Sequence, residues 1–317
     1  MRLASKEVYR SILALRALFL PGTAKQQAVF IGKYTKMSRQ IPRTIWTLVP
    51  AGLWLAIFMI VPLAIIIIFS LGYRTELGTF APAFSFQNYA RFFQGPYLHC
   101  LWRSLSLSFT TTSFCLLLGF PVAAWLAFNV PKDKQNLFMV LLTVPISISF
   151  LLRIYAWITI LRPTGLATEC MQMMGIIHPP VILYTDWAVL LGMVYNYVPY
   201  MILPLYAALE KLDLRLVEAA HDLGATPFQS FFRVVIPLSF RGIVAGVIMV
   251  FVPSLGDYVT PDLMGGAKNM YIGSLIQNQY LIVRDWAFGS AVSSVLLCIV
   301  AVGVWLYLKY GDKGAVA

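Results

Sequence analysis

Six apolar runs, each at or near the length of a bilayer-crossing helix, leave this chain few ways to fold. They are roughly Ile45–Leu71, Trp102–Phe128, Leu137–Leu161, Trp187–Leu209, Gly242–Tyr258 and Ala287–Tyr310, the fifth being the shortest and open to extension as far as Leu263. A hydrocarbon layer about 30 Å thick takes about twenty apolar residues of helix to cross. Charged residues make up only 12% of the 317, where a soluble domain carries about 25%. The expectation is an all-α integral membrane protein with six transmembrane helices. Pro62, Pro121, Pro145, Pro199, Pro204 and Pro253 fall inside the runs and predict kinked helices, tolerated where neighbours satisfy the freed carbonyls. Gly242-x3-Gly246 and Gly289-x3-Ser293 permit close helix approach, read here as packing within the subunit.

A net charge of +11 would suggest nucleic-acid binding in a soluble protein. Its placement says otherwise. Seventeen of the 24 Lys and Arg fall on one side of a six-span arrangement: nine before residue 45, then Lys132, Lys134, Lys211, Arg215, Arg233, Arg241, Lys309 and Lys313. The other seven are Arg74, Arg91, Arg103, Arg153, Arg162, Lys268 and Arg284. The positive-inside rule then puts both termini in the cytoplasm, with the polar loop between the fourth and fifth runs, and makes lipid rather than nucleic acid the partner of the basic residues. Residues 1–44 read as a basic cytoplasmic tail, 45–310 as the six-span domain and 311–317 as a short cytoplasmic tail. Arg16 interrupts the apolar run Ile12–Leu20, which argues against a signal peptide. An unordered tail is preferred over an interfacial helix across Val8–Leu20.

The loop over residues 213–238 is unusual for a connection between spans. Its core, LVEAAHDLGATPFQSFFRVVIPL (Leu216–Leu238), reads as helix, turn, helix. Leu216, Ala219, Ala220 and Leu223 recur at i, i+3, i+4, i+7, one face of a helix. Gly224 supplies a stop, and Thr226 followed by Pro227 restarts a helix as N-cap and first helical residue. An ordered, half-apolar knob on a membrane domain is suited to docking another protein.

Glu-Ala-Ala, three residues, Gly, nine residues and then an apolar-x-apolar-Pro close are similar to the coupling-loop signature of ABC importer permeases. Glu218, Ala219, Ala220, Gly224 and Pro237 match it, while Val234 and Ile236 replace the family's Ile and Leu. FLLRIYAWITIL (150–161), YVPYMILPLYAAL (197–209) and DLMGGAKNMYIGSLIQNQYLIVRDWAFGSA (262–291) narrow the resemblance to permeases of spermidine/putrescine importers. It runs from about Ile45 to Trp305. The resemblance implies an inner-membrane permease subunit working by alternating access. It would stand beside a second, homologous permease, above two ATPase subunits and below a periplasmic or tethered solute-binding protein. It implies that Glu218, Ala219, Ala220, Asp222, Gly224 and Pro237 couple this subunit to the ATPase. No Gly-rich phosphate loop ending in Gly-Lys-Ser/Thr is present, so the chain is not expected to be an enzyme or to bind a cofactor; ATP and Mg belong to the partner subunit.

Charges near or within the runs are candidates for a cargo path. Asp257 follows VFVPSLG near the end of the fifth run. A carboxylate at that depth costs on the order of 2.5–3.5 kcal/mol, so it should face a cavity or a partner. It either receives an ammonium group of the cargo or pairs with Arg153, an equally isolated charge in the third run. Glu76, Glu169, Asp186, Asp257, Asp262 and Asp285 lie on the outer half, six of 13 acids. Aromatics stand near them, including Tyr155, Trp157 and Tyr195. A polyamine needs carboxylates for its ammonium groups and rings over its methylenes, while Trp and Tyr at span ends also serve as interface belts. The path candidates are Asp257, Tyr155, Trp157, Tyr195, Asp262 and Asp285.

Other features carry less. His99, His178 and His221 are isolated, and the four cysteines show no metal-ligand spacing. Cys115 and Cys298 fall within runs; Cys100 and Cys170 could both face outward, leaving a bridge open. Three rival functions remain: an importer permease for an anion such as sulfate or thiosulfate, a secondary carrier or channel working without an ATPase, and a non-transporting scaffold. The coupling signature does not separate the cargoes. A carrier would need an internal repeat or an intramembrane ion relay, and no clear repeat is visible.

Overall fold

The structure, a computed structural model, describes residues 49–75, 80–176, 180–266 and 269–310. The basic tail 1–44 with the Val8–Leu20 segment, Glu76, His178, Lys268 and the tail 311–317 lie outside the described residues. Two compact units divide the chain, Met1–Ile65 and Ile66–Ala317. Helix α1, Val49–Ser70, begins in the first, where the Trp54 ring packs on Phe58 with centroids 4.4 Å apart.

In the second unit, a two-stranded antiparallel hairpin joins β1 (Tyr73–Arg74) to β2 (Phe80–Ala81), with Tyr73 opposite Ala81 and Arg74 opposite Phe80. This ladder of two residues a strand leaves the expected all-α class standing. Helix α2 (Gln87–Phe92) follows, and its Asn88 amide donates to the carbonyls of Ser70 and Gly72 at 3.0 and 2.7 Å. Helix α3 runs from Gly95 to Phe128, 34 residues, starting well before the apolar run at Trp102 because Pro96 follows Gly95 as a helix-starting residue.

The third apolar run is not one helix. It divides into α4 (Lys132–Ser147) and α5 (Phe150–Leu161), with Ile148 and Ser149 extended between them. The α4 axis meets the segment Phe150–Met173, which includes α6 (Leu166–Met173), at 85°. Pro145 supplies no amide hydrogen and weakens the last turn of α4. Helix α7 (Asp186–Leu209) covers the fourth run, α8 (Arg215–Asp222) and α9 (Pro227–Leu238) the polar loop, and α10 (Phe240–Gly256) the fifth run. Helices α9 and α10 meet at 68°. The extension toward Leu263 is a separate helix, α11 (Val259–Gly265). Helix α12 (Ile272–Asn278) continues as a π-turn over Gln279–Val283, and α13 (Trp286–Tyr310) closes the chain. Among the described residues four helices are long and apolar enough to cross a membrane, or up to six if each bent pair counts as one span.

Helices α3, α7 and α10 pack together around buried Cys115, Phe120, Ala123, Met193, Met201, Leu205 and Val250. Their close approach depends on Gly242 and Gly246 of α10. A Cβ at Gly242 would strike the Ala208 methyl and stand 2.9 Å from the Pro204 carbonyl; one at Gly246 would stand 2.6 Å from Met201 Sδ. The small-residue pair is thus spent inside the subunit. A second apolar cluster gathers Phe92, Ile272, Leu275, Phe288 and Val292 where α2, α12 and α13 meet. Cys100 is buried on α3 and Cys170 exposed on α6, and both are free thiols, so no bridge joins them.

Candidate functional site

The loop between α7 and α10 is an ordered helical hairpin. The α8 helix ends as its composition demands: Gly224 N–H donates to the His221 carbonyl at 2.8 Å and Ala225 N–H to the Ala220 carbonyl at 3.0 Å. That pair of bonds requires a left-handed residue at Gly224, whose φ is +84°. Open space surrounds its Cα, so the demand is one of backbone, not of packing. Thr226 Oγ1 accepts from the Gln229 amide at 3.3 Å while Gln229 Oε1 accepts from the Thr226 amide at 3.0 Å, a reciprocal cap on α9 with Pro227 in its first turn. A π-turn at Phe231–Val235 follows within the helix.

The hairpin divides its side chains between two surfaces. Val217, Phe231 and Ile236 lean into the core, and the Phe231 ring meets Phe120 of α3 edge-on at 5.3 Å. The expected face of Leu216, Ala219, Ala220 and Leu223 points away: Leu223 is 90% exposed, Leu216, Phe228, Phe232 and Leu238 are half or more exposed, and Ala220 is half-buried. Glu218, Ala219, Asp222, Gly224 and Pro237 are exposed with them. The hairpin is therefore anchored on the span bundle through one side and presents apolar and acidic groups on the other. That is the form of a lever.

A second group of polar residues gathers where α10 ends. Asp257 terminates that helix in an extended conformation. Its Oδ1 accepts from the amides of Val259 and Thr260 at 3.0 and 3.2 Å, and its Oδ2 from the Thr260 hydroxyl at 2.6 Å. A fourth donor, the Tyr197 hydroxyl, comes from α7 at 3.4 Å. The carboxylate thus starts α11 by capping it. The pairing of Asp257 with Arg153 is not present: Arg153 is 7% exposed, its Nε and Nη1 have no hydrogen-bond partner, and it makes no ion pair among the described residues. Its guanidinium lies 5.8 Å from the Phe150 ring.

The remaining path candidates go to separate places. Trp157 and Tyr195 meet edge-on at 5.4 Å, one turn of α5 from Arg153. Tyr155 is half-exposed. Asp262 accepts from the Ser274 hydroxyl at 2.6 Å. Asp285 is buried against Arg91 at 2.9 Å, accepts from the Phe288 amide at 3.1 Å, and so starts α13; the Arg91 guanidinium stands 4.1 Å over the Phe288 ring. Asp186 is held by Arg103, Asn269 and Tyr271, and burial, with Asp186 beside it, pushes the Tyr271 phenol up. A cavity of about 270 Å³ lined by Met139, Val140, Thr143, Val144 and Ser147 on α4 includes none of these residues. Among the described residues no cluster of three metal-ligating side chains occurs. The polar residues Thr260 and Asn196 escaped selection from the sequence; of the two, Thr260, three residues after Asp257 at cap spacing, carried a usable signal.

Comparison with known proteins identifies the family of the chain. Residues 119–309 match the family described as Binding-protein-dependent transport system inner membrane component. The chain is 40% identical over 257 residues to the spermidine/putrescine transport system permease protein PotB of Haemophilus influenzae, covering 81% of this chain and 90% of that one. Identity to PotB of Escherichia coli K12 is 39%, over 81% and 93%. The inner membrane ABC transporter permease protein YdcU of the same bacterium is 31% identical over 66% and 69%. Among solved structures, a bacterial ABC transporter importing the acidic polysaccharide alginate superposes with a TM-score of 0.66 at 17% identity, over 87% of this chain and 99% of that one. The alginate transporter in complex with its pentasaccharide-bound periplasmic protein gives 0.69 at 16% identity, over 89% and 98%. At such identities the likeness speaks to the fold.

Proposed function

The chain belongs to the binding-protein-dependent transport system inner membrane components, and from that membership we propose that it is the permease subunit of an ATP-driven importer of polyamines. The observation that carries the cargo is the 40% identity, over most of both chains, to a spermidine/putrescine permease. A multi-pass inner-membrane protein of this kind needs separate machinery to hydrolyse ATP. On our reading two ATPase subunits supply it, with Mg, and a second homologous permease completes the path. The relation of a periplasmic protein to the alginate transporter supports a solute-binding protein delivering cargo from outside.

The mechanism follows from the two groups of residues. The hairpin docks the ATPase through Leu216, Leu223 and Phe228, with Glu218 and Asp222 fixing register. ATPase closure then pushes on a body that the reciprocal cap and the Phe231–Phe120 contact keep from yielding, so the motion reaches α3 and the spans packed on it. Both termini and the hairpin lie in the cytoplasm. Asp257 lies on the path and takes an ammonium group, since a polyamine in a low-dielectric region must keep its charges paired. The broken helix ends beside it are the kind of backbone that lines transport sites.

The test is uptake. Expressed with its ATPase, second permease and binding protein in cells lacking their own polyamine importers, the chain should give saturable, ATP-dependent spermidine or putrescine import. Sulfate or thiosulfate import without polyamine import would overturn the cargo assignment.

A further inference from the structure

Along α7, Val189, Gly192 and Asn196 recur at i, i+3, i+7 and so share one face of the helix. The first two show what that face meets. A Cβ at Gly265 of α11 would stand 3.0 Å from Val189 Cγ2. A Cβ at Gly192 would strike Met264 Sδ and stand 3.2 Å from Thr260 Cγ2. The two helices therefore run antiparallel: residues 189 and 192 meet 265, 264 and 260 in descending order, and Tyr197 then reaches Asp257. Asn196, between Gly192 and Tyr197, stands at the level of the turn from Thr260 to Asp257, on the face that meets it.

Asn196 is 1% exposed, and both polar atoms of its amide are buried without a hydrogen-bond partner among the described residues. It lies near the middle of α7, at half depth in a span. Replacing such an amide by a hydrocarbon of the same shape is ordinarily neutral or stabilising, so packing gives no reason for it. Polar groups inside a membrane are costly and mark a cavity or a partner. The carboxylate beside it has its acceptor sites filled. Asp257 Oδ1 takes the amides of Val259 and Thr260, and Oδ2 takes the hydroxyls of Thr260 and Tyr197. A carboxylate has about four lone-pair sites. An arriving ammonium group gains one of them by displacing Tyr197, which at 3.4 Å is the longest bond and comes from another helix. That answers one N–H of an ammonium that carries three.

From this register we infer that Asn196 is a second contact for the cargo: its side-chain carbonyl accepts an N–H of the same primary ammonium group that Asp257 receives. The inference rests on the reading of Asp257 as a cargo contact and adds the neutral group that works beside it. The carboxylate supplies attraction between charges. A neutral carbonyl adds a directed bond without deepening the electrostatic well, and a well too deep would trap the cargo. The carbonyl also discriminates, because it answers N–H donors and offers nothing to a quaternary ammonium, which has none.

The test uses the full chain in the assembled importer, with spermidine and putrescine as probes. Asn196→Leu keeps roughly the volume of the side chain and removes both polar atoms. The expected result is uptake reduced severalfold in a complex whose thermal midpoint equals or exceeds that of the wild type, since an unpartnered buried amide is gone. A group that serves packing alone would leave uptake unchanged, and wild-type uptake overturns the inference. If the Leu variant fails to assemble, Asn196→Ala, too small to clash, decides in its place: a severalfold loss supports the contact and wild-type uptake overturns it. Adding Asn196→Leu to Asp257→Asn should cost much less than the product of the two single losses, because both groups hold one ammonium. Losses that multiply in full place Asn196 off that contact and overturn it. Unimpaired uptake by Asp257→Asn alone sinks the cargo reading beneath, whereas wild-type uptake by Asn196→Leu beside an impaired Asp257→Asn sinks this inference only.

Discussion

The Thr260 hydroxyl donates to the Asp257 carboxylate at 2.6 Å, the shortest of the four hydrogen bonds that orient it. Thr260 is itself fully buried, so the bond is shielded from water. Hydrogen bonds to charged groups contribute about 1.5–3 kcal/mol. Thr260→Val keeps the shape and removes the donor; it should lower the thermal midpoint of the purified complex and slow import, while Thr260→Ser stays near wild type. Equal behaviour of the two variants in a melting assay and an uptake assay would show the bond to be idle.

Asp257→Asn removes charge at constant size. Since the carboxylate is bonded to Val259, Thr260 and Tyr197 and not to Arg153, the variant should assemble and hydrolyse ATP. Polyamine import should fall severalfold or more. Unimpaired uptake would remove Asp257 from the path.

At the hairpin, Glu218→Lys combined with Gly224→Asp should uncouple ATP hydrolysis from import while leaving membrane insertion intact. At φ +84° with open space around it, a non-glycine residue at 224 costs about 1 kcal/mol in backbone conformation. The larger effect expected is on docking, through reversed charge. Import at the wild-type rate would refute the coupling role.

Packing makes a sharper contrast. Gly242→Val would drive side-chain atoms into Ala208 and the Pro204 carbonyl, whereas the space around Gly303 is open. The first should abolish assembly or lower the melting temperature of the complex by many degrees, since overpacking typically costs about 1–3 kcal/mol or more. Gly303→Ala should be neutral. The comparison is read by size-exclusion chromatography and thermal unfolding.

Orientation is open to labelling. A cysteine replacing Lys134 should be blocked only by reagents that reach the cytoplasm, and one replacing exposed Arg162 by an impermeant reagent added outside. The asymmetry of seventeen against seven basic residues predicts this pattern; labelling of position 134 from outside intact cells would reverse the topology.

Much of this was legible in the residues because its causes are local. Apolar runs report the solvent a helix will meet, and they located α1, α3, α7, α10 and α13 to within a few residues, except for the early start of α3. Gly224, Thr226 and Pro227 fix a helix end and a helix start through their own backbone preferences, so the hairpin was readable too. Tertiary structure decided what depends on groups distant in sequence. Pro145 looks like the other prolines inside runs, yet only there does the third run divide and turn by 85°; whether freed carbonyls tolerate a break depends on what stands beside them. The Arg91–Asp285 pair joins residues 194 positions apart, and no periodicity announces it. The same holds for Asp257 and Arg153: sequence marked both as isolated charges in an apolar setting, but which donors a carboxylate keeps is a matter of distances. Thr260 and Tyr197 reach Asp257, Arg153 does not, and electrostatics in a medium of low dielectric turns that difference in position into a difference in role.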